Sequence, residues 1–359
     1  MKSISDANQY RFYFAEIDSL RFISFLLVFL GHTFLEIGSS FVQTAWFGVE
    51  FFFFLSGFLL TRVLCFEYEA NGFINKKYYF IRRLLRIWPL YFVFLSILLF
   101  LYTHIFNIDF SYIRLLGNIF FIDNFLTVAE YSNSIPYCGH LWTISVEEQY
   151  YLILPFLLLW LFSKSQTHVK LFFIIIFLLL FIGKFIAIVL KAKFQVIHLT
   201  PLSADSFLTG VLLGFFYKAR FLTLKNYYLL LFTGFAFLFI VVLLPSKNIT
   251  GFHQLIIYPL QATGFALILI SILGNNGSGL NKILKNRILS FLGKISFGLY
   301  IFHIPVVGYF LKFFTHKSGP IQLIGLLLMF LVTVGIASVS YYFFEKRFLS
   351  FKKNFQFVR

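Results

Sequence analysis

Ten stretches of about twenty mostly apolar residues dominate the chain, at 17–35, 44–64, 86–104, 140–162, 170–191, 200–217, 226–245, 252–274, 289–312 and 321–344. A bilayer's hydrocarbon core takes roughly 20 helical residues to cross, and backbone polar groups inside it must be satisfied within the segment itself. The expected fold class is therefore all-α, a polytopic membrane helix bundle of about ten transmembrane helices. Composition enters as support. Of 359 residues 60% are hydrophobic and only 12% charged, with mean hydropathy +0.86. A soluble domain carries about 45–50% apolar and ~25% charged residues.

The formal charge of +16 lies between the apolar stretches. It orients the chain in a membrane and gives no basis for nucleic-acid binding. With the N-terminus in the cytoplasm, Arg62, Lys76, Lys77, Arg82, Arg83, Arg86, Lys346 and Arg347 fall inside, whereas Arg114, Lys191, Lys193, Lys247, Lys312 and Lys317 fall outside. Both termini are then expected to be cytoplasmic. The first 16 residues are polar and do not read as a cleavable signal. Cys65 and Cys138 fall on opposite sides of this topology, so neither a disulfide nor a metal site is expected. No soluble domain or long tandem repeat is visible, and the 55 phenylalanines read as lipid-facing and core filling.

Charges inside apolar runs carry the functional information, because each costs roughly 3 kcal/mol or more at the centre of a span. In the first stretch, IDSLRFISFLLVFLGHTFL, Arg21 and His32 are eleven residues apart. On a helix they lie about 20° apart around the axis and ~16 Å apart along it. One face thus presents a guanidinium near the inner surface and an imidazole towards the outer one. Glu50, in GVEFFFFLSGFLL, sits at about the depth of His32. In NKKYYFIRRLLRIWPLY, read as a basic loop, Arg83 and Arg86 share a helical face that suits lipid phosphates or a phosphorylated ligand, and Arg82 points elsewhere. Thr103–Gly139 reads as the longest external stretch. The fourth span opens GHLWTISVEEQYYLILP, with His140, Trp142, Glu147, Glu148 and Gln149 in its first turns. Adjacent glutamates point about 100° apart, so only one of the two is expected to face the first helix. Asp205 lies early in its span and calls for a polar partner. Gly210 and Gly214 form a pair that favours helix packing. His198, His253 and Lys184 carry no readable role, and GNNGSGLNK at 274–282 reads as a flexible loop. His303 lies two residues before Pro305, at a helix kink. Glu345 closes the last span and is expected to pair with a cytoplasmic arginine.

Taken in order, Arg21-x10-His32, GVEFFFFLSGFLL, Arg83-x-x-Arg86 in RRLLRIWPLY, HLWTISVEEQYYLILP, ADSFLTG, ISFGLYIFHIPV and YYFFEKRF resemble the membrane acyltransferase 3 family. These are bacterial integral-membrane O-acyltransferases that commonly modify surface polysaccharides. The resemblance runs from about residue 12 to 350, within one membrane acyltransferase domain spanning 1–359. Glu50 stands where such proteins usually carry Asp. Some relatives add a C-terminal esterase-like domain, and none is expected in this chain.

The resemblance implies a multi-pass protein of the bacterial cytoplasmic membrane, with no bound cofactor. Its donor would be cytoplasmic acyl-CoA, acetyl-CoA above all, and its acceptor a hydroxyl of a surface or lipid-linked saccharide. Arg83 and Arg86 would take CoA phosphates and Arg21 would guide the donor into the bundle. His32 would be the general base, with Glu147 or Glu148 orienting it. Glu50, Asp205 and His303 would support the site. A covalent acyl-His32 intermediate and direct transfer are both compatible with the residues. A transporter or flippase of envelope precursors is the alternative function, and an assembly subunit in envelope synthesis is a third.

Overall fold

The computed structural model describes residues 14–35, 46–106, 109–129, 135–190, 199–217, 226–244, 254–275, 277–314 and 319–355. Glu130, His198, His253 and the basic stretch 218–225 lie outside them. The helices in chain order are α1 (Ala15–Leu35), α2 (Trp46–Asn71), α3 (Lys76–Leu101), α4 (Tyr112–Ile119), α5 (Asp123–Val128), α6 (Trp142–Phe162) and α7 (Gln166–Val189). They continue with α8 (Asp205–Phe216), α9 (Tyr227–Leu243), α10 (Gln254–Gly274), α11 (Gly279–Leu284), α12 (Arg287–Lys294), α13 (Ser296–Phe314) and α14 (Gly319–Ser340). No strand occurs among the described residues.

Seven described helices are long and apolar enough to cross a membrane, those containing α2, α3, α6, α7, α10, α13 and α14. The expected spans 200–217 and 226–245 are the shorter apolar helices α8 and α9. The first expected span is α1, whose opening turns carry Glu16, Asp18 and Arg21. Length and apolarity thus support seven spans, and the expectation of about ten holds at the coarser level of a multi-span helical bundle.

The chain packs as two compact units. The first takes Met1–Leu27, Trp46–Ile74 and Leu154–Gly293, and the second Val28–Ala45, Asn75–Ile153 and Lys294–Arg359.

In the first unit α2 and α8 pack backbone against backbone. A Cβ at Gly57 would lie 2.3 Å from the Phe207 carbonyl oxygen, and one at Gly210 would lie 2.2 Å from that of Phe54. Between helices in lipid there is little hydrophobic driving force, so such close approach supplies the association. Gly210 and Gly214 do pack, and their partners are Phe54 and Phe58. Around this seam Phe14, Phe47, Phe51, Phe54, Phe58 and Phe265 share one apolar core, with Phe51 stacked on Phe265 at 4.6 Å. The charged start of α1 is anchored here too. Buried Glu16 meets Lys285 Nζ at 3.4 Å, and Ser19 Oγ donates to the Leu284 carbonyl. The expected flexible loop at 274–282 is in part an ordered turn. Asn281 is fully buried and donates to the Ile272 carbonyl at 2.7 Å, and Ser278 caps α11.

In the second unit α3 starts at Lys76, capped by Asn75, whose Oδ1 accepts from Tyr78 N at 3.0 Å. The stretch read as a basic loop is therefore helix, and Arg83 and Arg86 lie two to three turns inside it. Arg82 is buried and donates to the Phe355 carbonyl at 2.8 Å.

The stretch read as external, Thr103–Gly139, largely doubles back. Its helices α4 and α5 form a hairpin, joined across the inside by Arg114 and Asp123, with Nη2–Oδ2 and Nε–Oδ1 both 3.0 Å. At the tip Phe121 has φ 55° and packs on Tyr91 at 4.9 Å and on Trp88 at 5.8 Å. Gln149 Nε2 donates to the Phe121 carbonyl at 2.7 Å, and Tyr91 Oη donates to that of Asn118 at 2.9 Å. Tyr91 and Gln149 each lie ten residues, ~15 Å at helical rise, from the nearer ends Leu101 and Gly139. The hairpin tip thus reaches about halfway along both helices. Irregular backbone at such depth is tolerated where protein groups satisfy it, as Gln149 and Tyr91 do here. Tyr112, Leu116 and Phe120 stay exposed on its outer side, as suits a lipid-facing surface.

Candidate functional site

His32 lies in the last turn of α1 and His303 in the middle of α13, both in the second unit. Their rings are 5.1 Å apart, and His303 Nε2 is 3.3 Å from His32 Nδ1. Two carbonyls assign the protons. His303 Nδ1 is 2.6 Å from the Tyr300 oxygen and must donate to it. His303 Nε2 is then the acceptor. His32 Nδ1 is 3.0 Å from the Val28 oxygen, one helical turn back, and must likewise carry hydrogen. That N–H is shared between Val28 and His303 and leaves the lone pair of His32 on Nε2. A neutral imidazole held in one tautomer with a free Nε2 is the geometry of a general base.

A third imidazole completes the group. His140 is 5.2 Å, ring to ring, from His303 and 5.3 Å from Tyr300. Pro305 has no N–H to give the Ile301 carbonyl four residues back. The His140 ring faces that carbonyl and the one from Tyr300, although neither ring nitrogen makes a well-formed hydrogen bond. Tyr300 Oη bonds Thr143 Oγ1 at 2.6 Å and donates to the His140 carbonyl at 3.1 Å. Among the described residues no group of three or more His, Cys, Asp or Glu is arranged to hold a metal.

The two candidate carboxylates, both on α6, bond side chains other than the imidazole pair. Glu147 accepts from Tyr151 Oη one turn on and has Tyr300 within electrostatic reach. Glu148 Oε2 accepts from Trp88 Nε1 at 3.4 Å, and its Oε1 is buried without a hydrogen bond. The side chain placed against His32 is His303. Arg83 stands 5.9 Å from the Tyr151 ring centre and within reach of Glu148, whereas Arg86 acts on Glu345. Glu345 also accepts from Ser340 at 3.1 Å. Arg83 and Arg86 thus share a helix face but meet different acids.

The remaining candidates belong to the first unit. Arg21 approaches the Phe52 ring at 6.0 Å, and its Nε has no hydrogen bond. Asp205 is bonded by Lys184, a lysine to which sequence reasoning assigned nothing. Glu50 is buried near Ser206. The residues that sequence reasoning left without a catalytic role are His140, Thr143 and Tyr300. The first two open the HLWTISVEEQYYLILP segment, and Pro305 leaves the Ile301 carbonyl without its helical donor.

A family model described as an acyltransferase domain (Acyl_transf_3) matches residues 14–344, so the chain belongs to that family. The Staphylococcus aureus (strain COL) protein named Putative O-acetyltransferase SACOL0978 is 26% identical over 94% of this chain. O-acetyltransferase OatA of Staphylococcus aureus (strain MRSA252) is 26% identical over 97% of it. The aligned regions cover 57% and 60% of those two proteins, so the chain spans well under two thirds of their length. No solved structure matches the chain.

Proposed function

From its membership of the acyltransferase domain family, we propose that the chain is an integral-membrane O-acyltransferase that moves an acyl group, acetyl above all, from cytoplasmic acyl-CoA to a saccharide hydroxyl at the outer side of a bacterial cytoplasmic membrane. The observation that carries this reading is the His32–His303 pair, with the lone pair of His32 left on Nε2. In the reaction the acceptor oxygen forms a bond to the thioester carbonyl carbon and gives its proton to His32 Nε2. The C–S bond then breaks, and CoA leaves as the thiol once His32 returns that proton. His303 orients His32, the role that sequence reasoning gave to a glutamate. Arg83 and Arg86, two to three turns inside α3 from its cytoplasmic start, meet the phosphates of the donor, and Arg21 guides it.

The test is acetyl transfer by purified protein in nanodiscs. Labelled acetyl-CoA is supplied with envelope glycans, and products are read by mass spectrometry. A gain of one acetyl group on glycan, dependent on the protein, supports the reading. Full retention of the label on CoA with folded protein overturns it. A translocation function has one specific observation in its favour, the buried Lys184–Asp205 ion pair between α7 and α8. Flux of saccharide across sealed vesicles without acetyl-CoA would favour it.

A further inference from the structure

His140 is the imidazole of the cluster that the proposed proton transfer does not use. It sits in the short turn Gly139–Leu141 that leads into α6, and it is 5% exposed. Its backbone is pinned. The His140 carbonyl accepts from Tyr300 Oη at 3.1 Å, and Thr143 Oγ1 lies 3.0 Å from the same oxygen. The ring, by contrast, is left open. Among the described residues neither Nδ1 nor Nε2 finds a hydrogen-bond partner, although buried polar groups are nearly always bonded.

The nearby carbonyls settle which edge of the ring bears the proton. The edge facing the Tyr300 and Ile301 oxygens carries the N–H, because a lone pair there would be repelled. The other nitrogen then presents a lone pair, and the polar groups around it have no hydrogen left to give. His303 donates its Nδ1 hydrogen to the Tyr300 carbonyl and accepts on Nε2 from His32. The Tyr300 and Thr143 hydroxyls are spent on each other and on the His140 carbonyl. A group that satisfies this nitrogen therefore brings a hydrogen of its own.

His140 and His32 share a neighbour. Their rings stand 5.2 and 5.1 Å from that of His303, and His32 is within electrostatic reach of His140. Two imidazole lone pairs thus belong to one cluster, one on His32 Nε2 and one on His140. The cluster also lies at the end of α6 remote from Arg83. Arg83 stands 5.9 Å from the Tyr151 ring centre, and Tyr151 is eleven residues beyond His140, or ~16 Å at helical rise. A donor held at Arg83 approaches from that side and leaves the His140 side to the acceptor.

We propose that the second ring nitrogen of His140 accepts a hydrogen bond from a hydroxyl of the acceptor other than the one that His32 deprotonates. The residue thereby selects acceptors with two hydroxyls close together. This rests on the acyltransfer reading with His32 as base.

The experiment follows acetyl transfer by the full chain in nanodiscs, with labelled acetyl-CoA and envelope glycans each varied in turn. His140→Phe and His140→Leu remove the ring nitrogens and keep apolar side chains of two sizes. His140→Gln keeps an acceptor oxygen and an N–H. Both apolar variants are expected to raise the acceptor KM about tenfold or more with little change in donor KM, because a site built to bond a hydroxyl discriminates strongly. His140→Gln should recover most of that loss. In a further arm that needs no variant, propane-1,2-diol should inhibit transfer to glycan by the wild type more strongly than propan-1-ol. Equal inhibition by the two alcohols overturns the proposal. So does an acceptor KM close to that of wild type in a folded apolar variant, which would leave only water on the ring. Equal rises in both KM values, without rescue by Gln, overturn it in favour of a structural role. A rise in donor KM alone overturns it and puts an amide N–H of the donor there. Folded wild-type protein that transfers no acetyl group overturns the acyltransfer reading itself, and the proposal with it.

Discussion

His303 Nε2 lies 3.3 Å from His32 Nδ1, and the Tyr300 carbonyl behind His303 decides which of these nitrogens bears the hydrogen. The Val28 carbonyl one turn back and a residue 271 positions away thus set the tautomer of the proposed base together. His32→Ala should lower transfer by about 10²–10⁴, the usual worth of general-base assistance. His303→Ala should cost about 10²-fold in kcat through loss of alignment. His303→Gln, which can still accept from His32 Nδ1, should recover part of that loss. Single-turnover kinetics on folded variants decides the matter. Equal rates for the Ala and Gln forms of His303 would remove its orienting role.

Glu147→Gln and Glu148→Gln should differ. Glu147 holds Tyr151 and reaches towards Tyr300, whereas Glu148 accepts from Trp88 and has one oxygen without a hydrogen bond. Trp88→Phe removes the Trp88–Glu148 hydrogen bond and should destabilise the second unit by about 1–3 kcal/mol. Thermal unfolding reads that loss, and transfer rates read the inequality of the glutamates. Equal small effects of both Gln variants on transfer would exclude either from the proton path.

Periodicity made some of this legible and hid the rest. Eleven residues between Arg21 and His32 already place them on one helix face, and Gly210-x3-Gly214 already marks a packing seam, because both are local consequences of helical rise and turn. The partner of His32 was not readable. Glu147 and Glu148 have the chemistry to orient an imidazole, and only tertiary packing brings His303 against His32 Nδ1. The α4–α5 hairpin was also hidden. α4 has eight residues, too few to register as a span, and Arg114 and Asp123 look like loop charges until the fold joins them. Lys184 had no readable role for the same reason, since its partner Asp205 lies on the next helix.

Gly210→Ala should be severe and Gly335→Ala harmless. The first Cβ meets the Phe54 carbonyl oxygen at 2.2 Å, and the second has nothing within 4 Å. Forcing apart a packed seam costs about 1–3 kcal/mol or more. An exposed helical Gly→Ala change is neutral or stabilising by up to ~1 kcal/mol. Unfolding midpoints in one detergent provide the comparison, and similar midpoints would refute the close α2–α8 contact.

Arg114→Met should cost about 3–5 kcal/mol, because it strands the carboxylate of Asp123, which is 1% exposed. Arg114→Met with Asp123→Leu should regain most of that stability, since an apolar pair can replace a buried ion pair at little net cost. If the double variant is no more stable than the single, the ion pair is holding the hairpin by geometry that apolar packing cannot supply.

The donor side separates three arginines of one helix. Arg82 is buried on the Phe355 carbonyl, Arg83 stands over Tyr151, and Arg86 reaches Glu345. If Arg83 and Arg86 grip CoA phosphates, Lys in either place loses the planar two-pronged hydrogen bond and should raise donor KM several-fold more than acceptor KM. Added salt should weaken donor binding in the wild type, because exposed phosphate contacts are screened. Arg82→Lys is expected to act on stability instead, since its guanidinium is committed to the chain's own C-terminal turn. Donor and acceptor titrations of the three Lys variants distinguish these cases. An unchanged donor KM in both Arg83→Lys and Arg86→Lys would move the phosphate site to other basic residues, with Lys282, Lys285 and Arg287 the next to replace.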